Sequence, residues 1–215
     1  MSEINKRKLI VETSRFLVDS KLSPIRSGNI SIRHEKKNVS GLLISPSGKK
    51  NCSLRTSDVV FVDLKGHYDK KLQKPSSETK FHIALYKNYS CNSVVHVHSK
   101  YSVILSCLYE KIPSFHYMIA LAGGKDIKTA KYAIYGSEEL SVNISQAIKK
   151  RRACLIANHG QVSIGNSIEE ALELAQEVEL LCEYYYKCKL IKDPYLLCDN
   201  EMEKVLNKFD NYKSN

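Results

Sequence analysis

Residues 93–98 read Ser-Val-Val-His-Val-His, and this run constrains the chain more than any other. Its β-branched residues predict a strand. Successive side chains of a strand point to opposite faces, so His96 and His98 share one face while Val95 and Val97 take the other, toward a core. Two imidazoles so placed can bind one metal ion. A His-x-His pair is weak evidence alone, because two polar residues on a half-exposed strand give the same pattern.

Two distant segments add weight. Asn158-His159-Gly160 interrupts two apolar runs, and a third imidazole there would complete a three-histidine site with an open position. Glu78 follows Pro75-Ser76-Ser77 at the start of a helical pattern; it is either an ordinary first-turn glutamate or a carboxylate able to ligate metal or act as a base. Three turns rich in hydroxyls and glycine are candidate phosphate cradles: Ser27-Gly28-Asn29, Ser45-Pro46-Ser47-Gly48 and Ser76-Ser77. The combination points to an enzyme acting on a phosphorylated sugar.

The remaining pattern describes one domain over residues 1–215, without repeat, low-complexity tract or linker. Helical spacing covers residues 3–20, with Leu9, Thr13 and Phe16 on one face and Ile10 and Leu17 nearby. Strands are expected at 29–33, 41–45 and 59–64, antiparallel because their links are short. Helices follow at 77–89, 101–108 and 137–150, the last capped by Ser137. Strands at 153–157 and 161–164 flank the Asn-His-Gly turn. Ser167-Ile168-Glu169-Glu170 reads as a capping box opening a helix to about 190, with Ala171, Leu174, Val178 and Leu181 buried. A last helix spans about 200–209, before a polar tail.

Net charge is +10. Its densest cluster, Lys149-Lys150-Arg151-Arg152, reads as a solvated helix C-terminus rather than a nucleic-acid patch, since no nucleic-acid motif accompanies it. No run approaches the roughly 18 apolar residues of a membrane span, and the N-terminus lacks the pattern of a secretory signal. Seven cysteines without a Cys-x-x-Cys pair fit free thiols, mostly packed as small hydrophobes, in a reducing compartment. A cytoplasmic protein binding neither nucleic acid nor membrane is expected.

In their order along nearly the whole chain, Gly28-Asn29-Ile30-Ser31, Ser45-Pro46-Ser47-Gly48, Pro75-Ser76-Ser77-Glu78, Val95-His96-Val97-His98 and Asn158-His159-Gly160 resemble the class II aldolase/adducin family. Ile112-Pro113-Ser114-Phe115-His116-Tyr117-Met118, Ala122-Gly123-Gly124 and Tyr135-Gly136-Ser137-Glu138-Glu139-Leu140 are similar to its fuculose-phosphate branch. The resemblance implies an α/β fold, a three-layer α/β/α sandwich around a largely antiparallel central sheet. It implies Zn2+, one per subunit, on His96, His98 and His159. Glu78 would be a fourth ligand that substrate displaces, after which it serves as a base. Gly28, Asn29, Ser47, Gly48, Ser76 and Ser77 would hold phosphate, and Tyr117 would act as an acid near the aldehyde oxygen. Tyr135 and Tyr212 would lie at the aldehyde end, Tyr212 on a mobile tail of about 205–215.

The implied reaction is reversible aldol cleavage of a ketose 1-phosphate, of the L-fuculose 1-phosphate type, to dihydroxyacetone phosphate and a small aldehyde such as L-lactaldehyde. The implied assembly is a homotetramer with sites between subunits. The same scaffold carries 5-deoxypentulose-1-phosphate aldolases and methylthioribulose-1-phosphate dehydratases. Non-enzymatic adducin heads would lack the metal ligands kept here. Asn158 departs from the fuculose pattern, which has a second histidine before the ligand.

Overall fold

The computed structural model describes residues 1–213, with side chains through Phe209. Helix α1 (Glu3–Asp19) precedes a meander of β1 (Asn29–Lys36), β2 (Val39–Ile44) and β3 (Val60–Asp63). Then come α2 (Thr79–Asn88), β4 (Ser93–Val97), α3 (Lys100–Ser106) and β5 (Lys111–Ile112). A 3-10 turn at Tyr117–Ala122 leads to β6 (Ile127–Ala130), α4 (Glu138–Ile148), β7 (Ala153–Ile156) and β8 (Gly160–Gly165). Helices α5 (Ile168–Ile191) and α6 (Asp199–Lys213) finish the described chain.

The eight strands form one sheet in the order β3-β2-β1-β4-β8-β7-β6-β5. Every neighbouring pair is antiparallel except β6 and β7, which run parallel. The expected three-layer α/β/α sandwich is present. One sheet face packs on α2 and α4 through Leu42, Ile44, Val94, Cys154 and Val162. The other packs on α1 and α5 through Ile30, Leu43, Val95 and Val97, and beyond them Leu155 and Ala153 meet α5 and the 3-10 turn. Alternation along each strand sends neighbours to opposite layers. Strands β5 and β6 escaped the sequence reading because they are two and four residues long and lack an alternating pattern.

Other expectations need correction. Strand β4 is buried along its whole length, which removes the alternative of two polar residues on a half-exposed strand. Phe16 is 39% exposed, and the buried face of α1 is Ile10, Val11, Thr13, Ser14 and Leu17. Only Cys91, Cys154 and Cys182 of the seven cysteines are buried. Ser167 caps α5 through the Glu170 N–H, but the Glu170 carboxylate reaches the Asn166 N–H and not that of Ser167, so the capping box is displaced by one residue. The basic cluster is a solvated helix end only at Lys149 and Lys150, which are exposed at and after the C-cap of α4. Helix α4 stops at Ile148, Lys150 turns the chain with φ +59°, Arg151 pairs with Asp126, and Arg152 donates to the Leu121 carbonyl. The final helix runs past residue 209 to Lys213.

Helix α3 starts directly after His98, and its exposed amides find a partner on α5. The Glu179 carboxylate accepts from the Tyr101 N–H (2.8 Å), the Ser102 N–H (2.9 Å) and the Ser102 hydroxyl (2.7 Å). Replacing Glu179 with alanine strands two amide donors. The Glu179→Ala variant is expected to lose about 2 kcal/mol of stability in urea unfolding; an unchanged midpoint would show that water replaces the carboxylate without cost.

Candidate metal centre and substrate cleft

The sheet's register builds the centre. Asn29 on β1 lies directly opposite His96 on β4. On the other side of β4, Val97 faces Gln161, the second residue of β8, which brings the β7–β8 turn over the end of β4. His159 occupies that turn, after Asn158 with φ +55°. Gly160 permits the approach: a Cβ there would stand 2.3 Å from the Val97 carbonyl oxygen. His96 points into the α2 layer, where its ring meets Phe81 edge-on. Glu78 stands at the N-cap position of α2, makes no side-chain cap hydrogen bond and aims its carboxylate back at the sheet.

Glu78, His96, His98 and His159 thereby converge, with one ligand atom of each within 4.8 Å of all the others. Glu78 Oε2 is 3.2 Å from His96 Nε2, and Oε1 is 3.4 Å from His159 Nε2. The Nε2 atoms of His96 and His98 are 2.9 Å apart. A tetrahedral zinc site with bonds near 2.0–2.1 Å has edges of about 3.4 Å, so these separations suit one ion. The donor chemistry agrees. His96 Nδ1 donates to the Gln161 carbonyl at 2.8 Å, which leaves Nε2 facing the carboxylate as the atom that would ligate metal once its proton is displaced. Glu78 Oε1 is buried with no hydrogen-bond partner among the described residues. Lone pairs facing one another in a buried site call for a cation between them, and the four side chains fit a divalent metal.

Protonation follows from burial and neighbours. Burial alone would raise the Glu78 carboxyl, but His96, His159 and the Asn29 amide outweigh it and hold Glu78 well below the usual carboxylate range. Burial pushes His98 down to about 3 and His159 to about 4, with the His96 charge adding to both. Burial opposes charge on His96 as well, yet the adjacent Glu78 carboxylate prevails and holds it above the ordinary histidine value.

The centre opens into a cleft of about 390 Å³. Gly28, Asn29, Ser47, Gly48, Ser76 and Ser77 all line it, beside Glu78, His98 and His159. The three candidate cradles meet because Pro46 bridges Pro75, the Ser76 N–H donates to the Ser45 carbonyl at 3.1 Å, and the Ser45 N–H donates at 3.0 Å to the carbonyl of Ile30, next to Asn29. Gly28 has φ +76°, and a Cβ on it would lie 2.6 Å from the His96 carbonyl oxygen, so no other residue fits. The Asn29 amide also donates to Glu78 Oε2 at 2.8 Å, which ties this cradle residue to the metal cluster.

Tyr135 reaches the cleft, and Tyr132, Asn158 and Arg26 line it too. Among the described residues Arg26 is the single basic side chain in the lining. Tyr117 is not in the cleft: it is 50% exposed in the 3-10 turn and stacks near Phe209 of α6. Tyr212 lies on α6, and its side chain is outside the described residues. Sequence reasoning missed His82 and Tyr132. His82 stands four residues after Glu78, one turn along the same helix, and that spacing was the available signal.

Comparison with known proteins places the chain. The family described as Class II Aldolase and Adducin N-terminal domain matches residues 8–186. The chain belongs to this family, and its aldolase-named relatives make it a lyase. It is 41% identical over 215 residues to a 5-methylthioribulose-1-phosphate/5-deoxyribulose-1-phosphate aldolase of Rhodospirillum rubrum, covering 100% of this chain and 95% of that one. It is 40% identical over 206 residues to the L-fuculose phosphate aldolase of Escherichia coli K12, covering 94% and 93%. A solved L-fuculose 1-phosphate aldolase superposes with a TM-score of 0.90 at 34% identity, covering 96% of each chain. Among the described residues no helix is long and apolar enough to cross a membrane.

Two outcomes are expected. His98→Ala and His159→Ala should each weaken binding of a divalent metal by at least about 100-fold, since a lost ligand costs at least as much as a lost supporting contact; metal quantified after dialysis measures this. Metal must also displace the His96 proton, while His98 and His159 are already neutral above about pH 4. Affinity should therefore fall about tenfold per pH unit below the His96 pKa, a one-proton slope. Chelator competition across pH reads that slope, and a slope of two or more near neutrality would contradict the assignment.

Proposed function

We propose that this protein catalyses reversible aldol cleavage of a ketose 1-phosphate, of the L-fuculose 1-phosphate type, to dihydroxyacetone phosphate and a small aldehyde such as L-lactaldehyde. The observation that carries the reading is the meeting of three imidazoles and Glu78 with three hydroxyl-rich turns on one cleft. Gly28, Asn29, Ser47, Gly48, Ser76 and Ser77 hold the phosphate, at the positive end of α2. That anchor sets the sugar carbons over the histidines. Zinc bound by His96, His98 and His159 supplies Lewis acidity for the charge that builds on substrate oxygen.

Glu78 moves the proton at C3. In synthesis its carboxylate takes that proton from dihydroxyacetone phosphate, and in cleavage it returns one to the same carbon. Its low pKa keeps the base form available at neutral pH. Tyr117 serves the aldehyde oxygen, donating its phenol proton in synthesis and recovering it in cleavage. Because Tyr117 stands outside its own cleft, a second copy of the chain brings it to the site, which fits a homotetramer with sites between subunits. Tyr135 and Tyr212 flank the aldehyde end. Unpaired thiols at Cys52, Cys107 and Cys198 on the surface suit a reducing cytoplasm.

A second substrate has its own support. The full-length likeness to the R. rubrum protein favours a 5-deoxypentulose 1-phosphate, and the shared phosphate end would serve either sugar. Cleavage assays with metal-quantified protein over both ketose 1-phosphates separate the two by kcat/KM. The Glu78→Gln variant should stay folded and lose at least about 100-fold in kcat, the usual worth of a positioned acid–base group. Full cleavage by metal-free protein would refute the proposal.

A further inference from the structure

A line of buried polar groups runs back from Glu78 into the α2 layer. Asn29 Nδ2 donates to Glu78 Oε2 at 2.8 Å. The same amide's Oδ1 therefore faces His82 Nε2, its hydrogen-bond partner. An amide oxygen only accepts, so Nε2 carries the ring proton. His82 Nδ1 is then the acceptor, and the Ser31 hydroxyl donates to it at 2.7 Å. Ser31 Oγ in turn accepts from the Tyr86 hydroxyl at 2.8 Å. One tautomer and one amide orientation satisfy every partner. Ser31 and His82 are 0% exposed and Tyr86 3%. None of the three lines the cleft or belongs to the metal cluster. Burial holds His82 neutral, its pKa pushed down to about 3.

We propose that His82 is a positioning residue for Glu78, acting through Asn29. The Ser31–His82 pair fixes the amide so that its N–H edge meets the carboxylate. A flipped amide would set Oδ1 against Glu78 Oε2, two acceptors with no proton between them. Locked as it is, Asn29 leaves Oε1 turned toward His159 and Oε2 toward His96. One N–H of the Asn29 side chain is thereby assigned to the carboxylate. The inference rests on Glu78 being a ligand that also carries a proton, as in the proposed function.

A double-mutant cycle read by zinc affinity tests it. His82→Leu removes the donor while keeping bulk, and His82→Gln offers an amide N–H in place of Nε2–H. His82→Leu should weaken zinc binding by about 10–100-fold, and His82→Gln should recover most of that loss. In a Glu78→Gln background His82→Leu should change affinity by less than about twofold, because its effect passes through the carboxylate. Cobalt-loaded His82→Leu should show the visible spectrum of cobalt-loaded Glu78→Gln. Equal losses in both backgrounds, or wild-type affinity in His82→Leu, would overturn the assignment. Where circular dichroism shows His82→Leu unfolded, Ser31→Ala is run through the same cycle. The readout does not need turnover: a wild-type protein that binds zinc but cleaves no ketose 1-phosphate would refute the aldolase reading and leave the cycle to decide the role of His82.

Discussion

Four polar side chains that each lose solvation on burial are held at one point, and that convergence needs three separate pieces of the chain in register. Burying a carboxylate and imidazoles is unfavourable unless each finds a partner. Here the partners come from the strand order: β1 and β8 flank β4, so the Asn29 amide reaches Glu78 from one side and the Gln161 carbonyl reaches His96 from the other. The head of α2 closes the group from above with Glu78. A slip of one residue in β4 would exchange His96 for a valine and scatter the set. The surrounding valines and isoleucines fix that register, so the apolar pattern and the polar site are one constraint.

The net charge of +10 is likewise arranged by the fold. Half of its densest cluster is engaged by the fold, where Arg151 pairs with Asp126 and Arg152 satisfies the Leu121 carbonyl, while Lys149 and Lys150 stay in solvent. What faces the cleft is one guanidinium, that of Arg26, among hydroxyls and glycines. A small dianion therefore meets directional neutral donors with a single added cation, a different surface from the basic stripe that nucleic-acid binding needs.

The metal cluster was legible because period two is strict: His96 and His98 had to share a face, and Pro75 through Glu78 and Asn158 through Gly160 are turn segments whose roles depend on few neighbours. The fold class and the resemblance to the class II aldolase/adducin family could be read for the same reason, from ordered local motifs. Long-range placement was harder. Nothing local in Lys149 through Arg152 announces Asp126, and nothing in the two-residue β5 announces a strand. Asn29 read as a phosphate contact because its neighbours are turn residues, and nothing local announces its bonds to Glu78 or to His82, a partner 53 residues away in sequence. Tyr117 shows the same limit, since a motif gives the residue type but not the surface on which it stands.

The Glu78, His96, His98 and His159 cluster also joins the head of α2, the central strand and a hairpin that lies far downstream. An ion held there would tie these segments much as a covalent cross-link closes long loops in the unfolded chain. The centre is then as much a fastener of tertiary structure as a place for chemistry. Depletion of metal would loosen the α2 head and the β7–β8 turn first, leaving the apolar layers of the sandwich to hold the remainder.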